Sequence, residues 1–133
     1  MKLEREIETE IITWLNKQPD CYAFKFPRGQ LGWTRKNTVR HSGQGVSDII
    51  CNYSYQNICW VIYFEVKKDK KQKPRESQTA FGERIKKMGG YWLITTSVDE
   101  TREHLEWVES QIKLKCFLIK TASIKSMIPI LFS

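Results

Sequence analysis

Val61-Ile62-Tyr63-Phe64-Glu65-Val66-Lys67-Lys68 is an apolar strand that runs into charge. Side chains two apart on a strand project to one face, so Glu65 and Lys67 lie side by side where the strand leaves the core. A charge ending a buried strand is costly unless it is paired or held by a cation. Seventeen residues before Glu65, Asp48 sits in Val46-Ser47-Asp48-Ile49-Ile50-Cys51, which reads as a short strand after a glycine turn. With Asn52 to Asn57 as the link, the two strands suggest an antiparallel hairpin, which brings both carboxylates to one end of the sheet. Hard carboxylate oxygens suit magnesium (Mg2+), with manganese as a substitute, cations that keep several waters and accept phosphate oxygens. Lys67 beside them is placed to assist an attacking water or to offset charge developing on phosphate.

Toward the N-terminus, Leu3, Ile7, Ile11, Trp14 and Leu15 recur at helical spacing and predict a helix over 2–17, ended by Gln18-Pro19-Asp20. Its glutamates at 4, 6, 8 and 10 suit the start of a helix and read in the first place as a solvated face. Residues 21–26 alternate as a strand. The chain then turns polar and glycine-bearing through Gly45, and from Cys21 to Ser47 it carries no acid. Lys25, Arg28, Arg35, Lys36 and Arg40 give this stretch the composition of a phosphate grip, with Trp33 available to stack; the plainer alternative is a solvated loop.

Toward the C-terminus, residues 67–75 hold six bases and one acid, among them Lys68, Lys70 and Lys71. Pro74 opens a helix to about Met88, with an apolar stripe at Ala80, Phe81, Ile85 and Met88 and a stop at Gly89-Gly90. A strand over 91–95 leads through Ser97, an N-cap with Glu100 three residues on, into an acidic helix over 98–112. Leu114 to Lys120 reads as a last strand, followed by an apolar run from Met127 to Phe132 that Pro129 interrupts.

A chain of 133 residues fits a single domain over 1–133, here with a core over about 3–112 and an extension over 113–133. Its net charge of +7 favours a polyanionic partner, nucleic acid ahead of an acidic membrane surface. Cys21, Cys51, Cys59 and Cys116 form no CxxC pair, which excludes zinc-ribbon and thioredoxin-like patterns and suits a reducing, cytoplasmic setting. Two isolated histidines, His41 and His104, do not make a histidine metal cluster. No apolar run approaches the length of a membrane span, and the charged N-terminus is unlike a signal peptide.

The spacing D-x16-E-x-K resembles the PD-(D/E)XK nuclease signature. GVSDII, then FEVKK, then Gln78 on a helix that ends in GG before YW, is similar to the VRR-NUC family, whose stand-alone members resemble Holliday junction resolvases. The resemblance covers about residues 3–97. It implies an α/β, restriction-endonuclease-like αβββαβ core with a mixed central sheet flanked by helices. It also implies a magnesium-dependent DNA endonuclease acting on four-way junctions, flaps or other branched DNA. Asp48 and Glu65 match the metal-binding carboxylates, with the Val66 carbonyl as a further ligand. Lys67 matches the catalytic lysine, Gln78 the helix glutamine that completes the site, and Glu4 the first-helix glutamate. Glu8, one turn on, competes with Glu4 for that role. Ser47 departs from the pattern, where proline often precedes the acid. Small enzymes of this kind work as homodimers, and the apolar tail is the candidate contact.

Two other classes stay open: a catalytically idle nucleic-acid-binding module of the same fold, and a nuclease subunit targeted by a partner protein. DNA against RNA, and one metal against two, are also undecided by the sequence.

Overall fold

The structure is a computed structural model; it describes residues 2–27 and 45–132, with side chains through residue 126. Its elements run α1 (Glu4–Asn16), β1 (Cys21–Lys25), β2 (Ile49–Tyr55), β3 (Ile58–Val66), α2 (Glu76–Lys87), β4 (Tyr91–Thr95) and α3 (Val98–Phe132). By contacts these residues gather into two compact units, Met1–Thr101 and Arg102–Ser133.

The first unit is built on one four-stranded sheet in the order β1-β2-β3-β4. β1, β2 and β3 pair antiparallel, while β4 joins β3 in parallel, with Phe64 opposite Leu93 and Val66 opposite Thr95. The sheet is mixed, as expected, and β2–β3 is the expected hairpin. Its turn is shorter than the sequence suggests. β2 continues through Asn52 to Tyr55, and only Gln56 and Asn57 turn, at φ values of 52° and 62°. Two left-handed residues make a two-residue hairpin loop whose twist matches that of the strands. Tyr53 and Tyr55, both good strand formers, outweigh the polar residues between them.

Helices lie on the sheet. Ile7, Ile11 and Leu15 are buried on α1, which crosses β1, β2 and β3, where Ala23, Cys51 and Ile62 share one register line and are buried too. Asn16 ties the end of α1 to the edge strand: its side-chain oxygen accepts from the Ala23 N–H at 2.7 Å, and its Nδ2 donates to the Ala23 carbonyl at 2.9 Å. That satisfies backbone groups which an edge strand otherwise leaves open. α2 packs on β4: Phe81 meets Tyr63 edge-on at 5.1 Å, and Gly82 lies so close to the Trp92 ring that a Cβ would collide with it.

α3 begins as expected. The Glu100 N–H donates to Ser97 Oγ at 3.1 Å, and Glu100 Oε1 accepts from the Thr96 N–H at 2.8 Å. It does not stop near residue 112, however, and the last strand expected over Leu114–Lys120 is helix instead. Between Gly90 and Pro129 the chain contains neither glycine nor proline, so nothing halts the helix. Leu105, Val108, Ile112 and Cys116 form its buried stripe. Cys51 is buried as well, Cys21 is half-buried and Cys59 exposed, all as free thiols. Among the described residues no helix is long and apolar enough to cross a membrane.

Candidate active site

Asp48 lies one residue before β2, just beyond the Ile49–Phe64 pair, so the hairpin register leads from it straight toward Glu65. Its Oδ2 accepts a hydrogen bond from the Val66 N–H at 2.8 Å. The backbone between Glu65 and Lys67 is thereby fastened to Asp48, and the Asp48 carbonyl accepts from the Phe26 N–H at 2.9 Å. Gly45 makes the approach possible. It has φ +80°, and a Cβ there would run into the Ser77 carbonyl in the first turn of α2.

On one side of Asp48 stand two glutamates of α1. Oxygens of Glu4, Glu8 and Asp48 all lie within 4.8 Å of one another. The spacing 4, 8, 11, 15 explains this, because it puts both glutamates on the stripe that carries buried Ile11 and Leu15. Glu8 and Asp48 are buried and Glu4 half-buried. Burial is the largest influence on the Glu8 carboxyl and raises its pKa; Asp48 and Glu4 push it the same way, while Lys25 opposes them. Lys25 Nζ stands 3.1 Å from Glu8 Oε2, so this base, expected at a DNA surface, is found at the rim of the carboxylate group.

On the other side is a buried chain of three side chains. Glu65 is fully buried, and its Oε1 accepts from Gln78 Nε2 at 2.6 Å and lies 3.5 Å from Lys67 Nζ. Gln78 Oε1 accepts from Lys67 Nζ at 3.1 Å and from the Arg75 N–H at 2.7 Å, the latter closing the start of α2. The charge that ends the β3 strand is therefore balanced within the protein, by an ammonium and an amide. Val66 N–H joins this chain to the carboxylate group.

The expected residues Glu4, Asp48, Glu65, Val66, Lys67 and Gln78 thus occur together. The carboxylates that gather are Glu4, Glu8 and Asp48, and Glu65 belongs to the Lys67–Gln78 chain. Glu8 is buried instead of facing solvent, and its place on the Ile11–Leu15 stripe is the sequence signal for that. Of the expected DNA contacts, Lys68, Lys70 and Lys71 are exposed on a loop that Asp69 orders, Oδ1 accepting from the Lys71 and Gln72 N–H groups at 2.9 and 3.0 Å. Lys70 approaches Glu100 at 3.9 Å. Arg28, Arg35, Lys36 and Arg40 lie outside the described residues.

Three hard carboxylates within one small volume are the donor set that magnesium or manganese takes, so these residues fit a divalent cation.

No family model matches the chain, and no curated protein does. Among solved structures, a protein described as a VRR_NUC domain protein superposes with a TM-score of 0.59 at 17% sequence identity, over 79% of this chain and 86% of that one. The chain has the fold of a VRR_NUC domain. The resemblance read from GVSDII, FEVKK and Gln78 is borne out at the level of the fold. In this fold α1 supplies Glu4 and Glu8, the open end of the β2–β3 hairpin and the residues that flank it supply Asp48, Glu65 and Lys67, and the start of α2 supplies Gln78.

Proposed function

We propose that the chain is a divalent-metal-dependent DNA endonuclease that hydrolyses phosphodiester bonds, with branched DNA such as four-way junctions or flaps as its preferred substrate. One observation carries this reading: a trio of carboxylates, Glu4, Glu8 and Asp48, is fastened through the Val66 N–H to the buried Glu65–Gln78–Lys67 chain on a nuclease-like fold.

Glu4, Glu8 and Asp48 would hold magnesium, with manganese able to replace it, and Glu65 and the Val66 carbonyl are the further ligands that the family resemblance suggests. When bound, the cation supplies a Lewis acid for a phosphoryl oxygen and eases deprotonation of the attacking water. Lys67 carries a fixed positive charge at the end of β3, suited to the negative charge that grows on phosphate as water adds and a P–O bond breaks. Gln78 is a positioning residue, since it holds Lys67 by one end of its amide and Glu65 by the other. Lys68, Lys70 and Lys71, exposed beside the site in sequence, bind the backbone of the polyanion and supply affinity without base sequence. Free, partly buried thiols suit a reducing, cytoplasmic setting.

The test is cleavage of a four-way junction, a flap and a linear duplex, with and without magnesium, by wild-type, Glu65→Ala and Lys67→Ala protein. Magnesium-dependent nicking by wild type, lost in both variants, is the expected result. Equal activity in the variants would sink the assignment. Salt-sensitive DNA binding with no cleavage under any condition would make the chain an idle binding module, or a subunit that works only with a partner.

A further inference from the structure

One base reaches the carboxylate group of the candidate site. Lys25 Nζ lies 3.1 Å from Glu8 Oε2, and the two side chains are 56% and 8% exposed. The strand register accounts for this. Lys25 pairs with Ile49 and falls on the same face of β1 as Cys21 and Ala23, the face that α1 covers. The next residue, Phe26, donates its N–H to the Asp48 carbonyl at 2.9 Å. Lys25 is thereby carried to the end of the sheet where Glu4, Glu8 and Asp48 gather within 4.8 Å.

Burial raises the Glu8 carboxyl most, and Lys25 pulls it back toward the charged form. Three close carboxylates repel one another, so an ammonium beside them is a counter-ion built into the chain. More than half of the Lys25 side chain meets solvent, however. Its ammonium can therefore leave Glu8 by rotation about its own flexible stem, without disturbing the core.

We propose that Lys25 is a tethered counter-ion: it holds Glu8 in the metal-free chain, yields it to a divalent cation, and then turns outward to a phosphate of the nucleic acid. This rests on the reading of Glu4, Glu8 and Asp48 as a metal site, and adds to it a residue that governs loading. The ammonium and the cation exclude each other for two reasons. Magnesium draws its oxygen ligands in to about 2.0–2.1 Å in a near-octahedral shell, and two positive charges sharing one carboxylate repel. Once released, Lys25 gives the polyanion one more phosphate contact than the metal-free chain offers. Metal loading and substrate grip are then coupled through one side chain, each strengthening the other. The DNA contact expected of Lys25 and the ion pair it makes with Glu8 become two states of one residue.

Three measurements on the full chain at pH 8 test this without reading cleavage. In NMR spectra the Lys25 Cε–Hε signal, assigned by its absence from Lys25→Arg, should move on adding magnesium to the position it takes in metal-free Glu8→Gln. By calorimetry, Lys25→Met should bind manganese roughly tenfold more tightly than wild type, whereas Lys25→Arg, which keeps the charge, should bind it as wild type does. In calcium, which also takes oxygen ligands, the slope of log affinity against log salt on duplex DNA should be steeper for wild type than for Lys25→Met by about 0.9, and equal for the two in chelator. A Lys25 signal that stays in place while magnesium binds overturns the proposal and leaves the metal site standing. Manganese affinity unchanged in Lys25→Met, or equal salt slopes in calcium, does the same. A chain that binds neither magnesium nor manganese overturns the metal reading, and this proposal with it.

Discussion

Gln78 holds a buried cation and a buried anion at once, donating to Glu65 and accepting from Lys67. Replacing it by alanine strands both, and removing one partner of a buried charged hydrogen bond is far costlier than never having made it. Gln78→Ala should lose roughly 2–3 kcal/mol in urea unfolding, with magnesium-dependent cleavage falling further than the lost stability explains. Glu8 makes a different statement, through pH. Its carboxyl is raised first by burial, with Lys25 opposing, so the folded chain keeps this proton to higher pH than the unfolded one. The contribution to stability is full below the unfolded pKa and is lost as pH rises through the folded value. In chelator, Glu8→Gln should therefore gain stability over wild type as pH climbs from about 4 to 7. Added magnesium should narrow or reverse that gain, because the charged carboxylate then has a partner. Differential scanning fluorimetry of the two proteins side by side reads both effects. Glu8 was the site residue least legible in the sequence, since four glutamates in one short helix look like a solvated face. Asp48, Glu65, Lys67 and Gln78 were legible because their order along a strand, a strand and a helix is itself a pattern.

At the scale of elements, the hairpin shows why boundaries are harder to read than existence. The antiparallel pairing of β2 and β3 follows from two apolar runs with a short link. Asn52, though, looked like the start of a turn and is instead a paired strand residue opposite Val61. The residues that do turn, Gln56 and Asn57, are both left-handed, and glutamine is poorly suited to that. Substituting Gln56→Asn with Asn57→Gly should stabilise the chain by about 0.5–1 kcal/mol, read as a higher urea midpoint. Gly45 is the opposite case. A Cβ there meets both an unfavourable φ and the Ser77 carbonyl. Gly45→Ala should cost roughly 2–3 kcal/mol and should lower cleavage by shifting the turn of α2 that carries Gln78. The misread segment Leu114–Lys120 has a plain cause: an apolar run of that length carries no period, and the missing breakers, which favoured a continuing helix, were the better guide.

For the molecule as a whole, bases outnumber acids, 22 against 15. The net charge is +7, and the ordered loop at 68–71 presents three exposed lysines directly after Lys67 in the chain. Charge of this kind is read as salt dependence. Replacing Lys68, Lys70 and Lys71 by alanine should reduce the slope of log affinity against log salt by about 2–3 on duplex DNA, with little change in fold stability. The central claim is that Glu4, Glu8 and Asp48 and the Glu65–Gln78–Lys67 chain are two halves of one nuclease site. Its most direct measurement is magnesium-dependent nicking at saturating DNA by wild type and by Asp48→Asn, at matched DNA affinity and with folding checked by circular dichroism. Asp48 belongs to one half and hydrogen-bonds to the backbone of the other. Nicking by wild type that disappears in Asp48→Asn is the expected result. Nicking that proceeds at the same rate in both, or that needs no divalent cation, would contradict it.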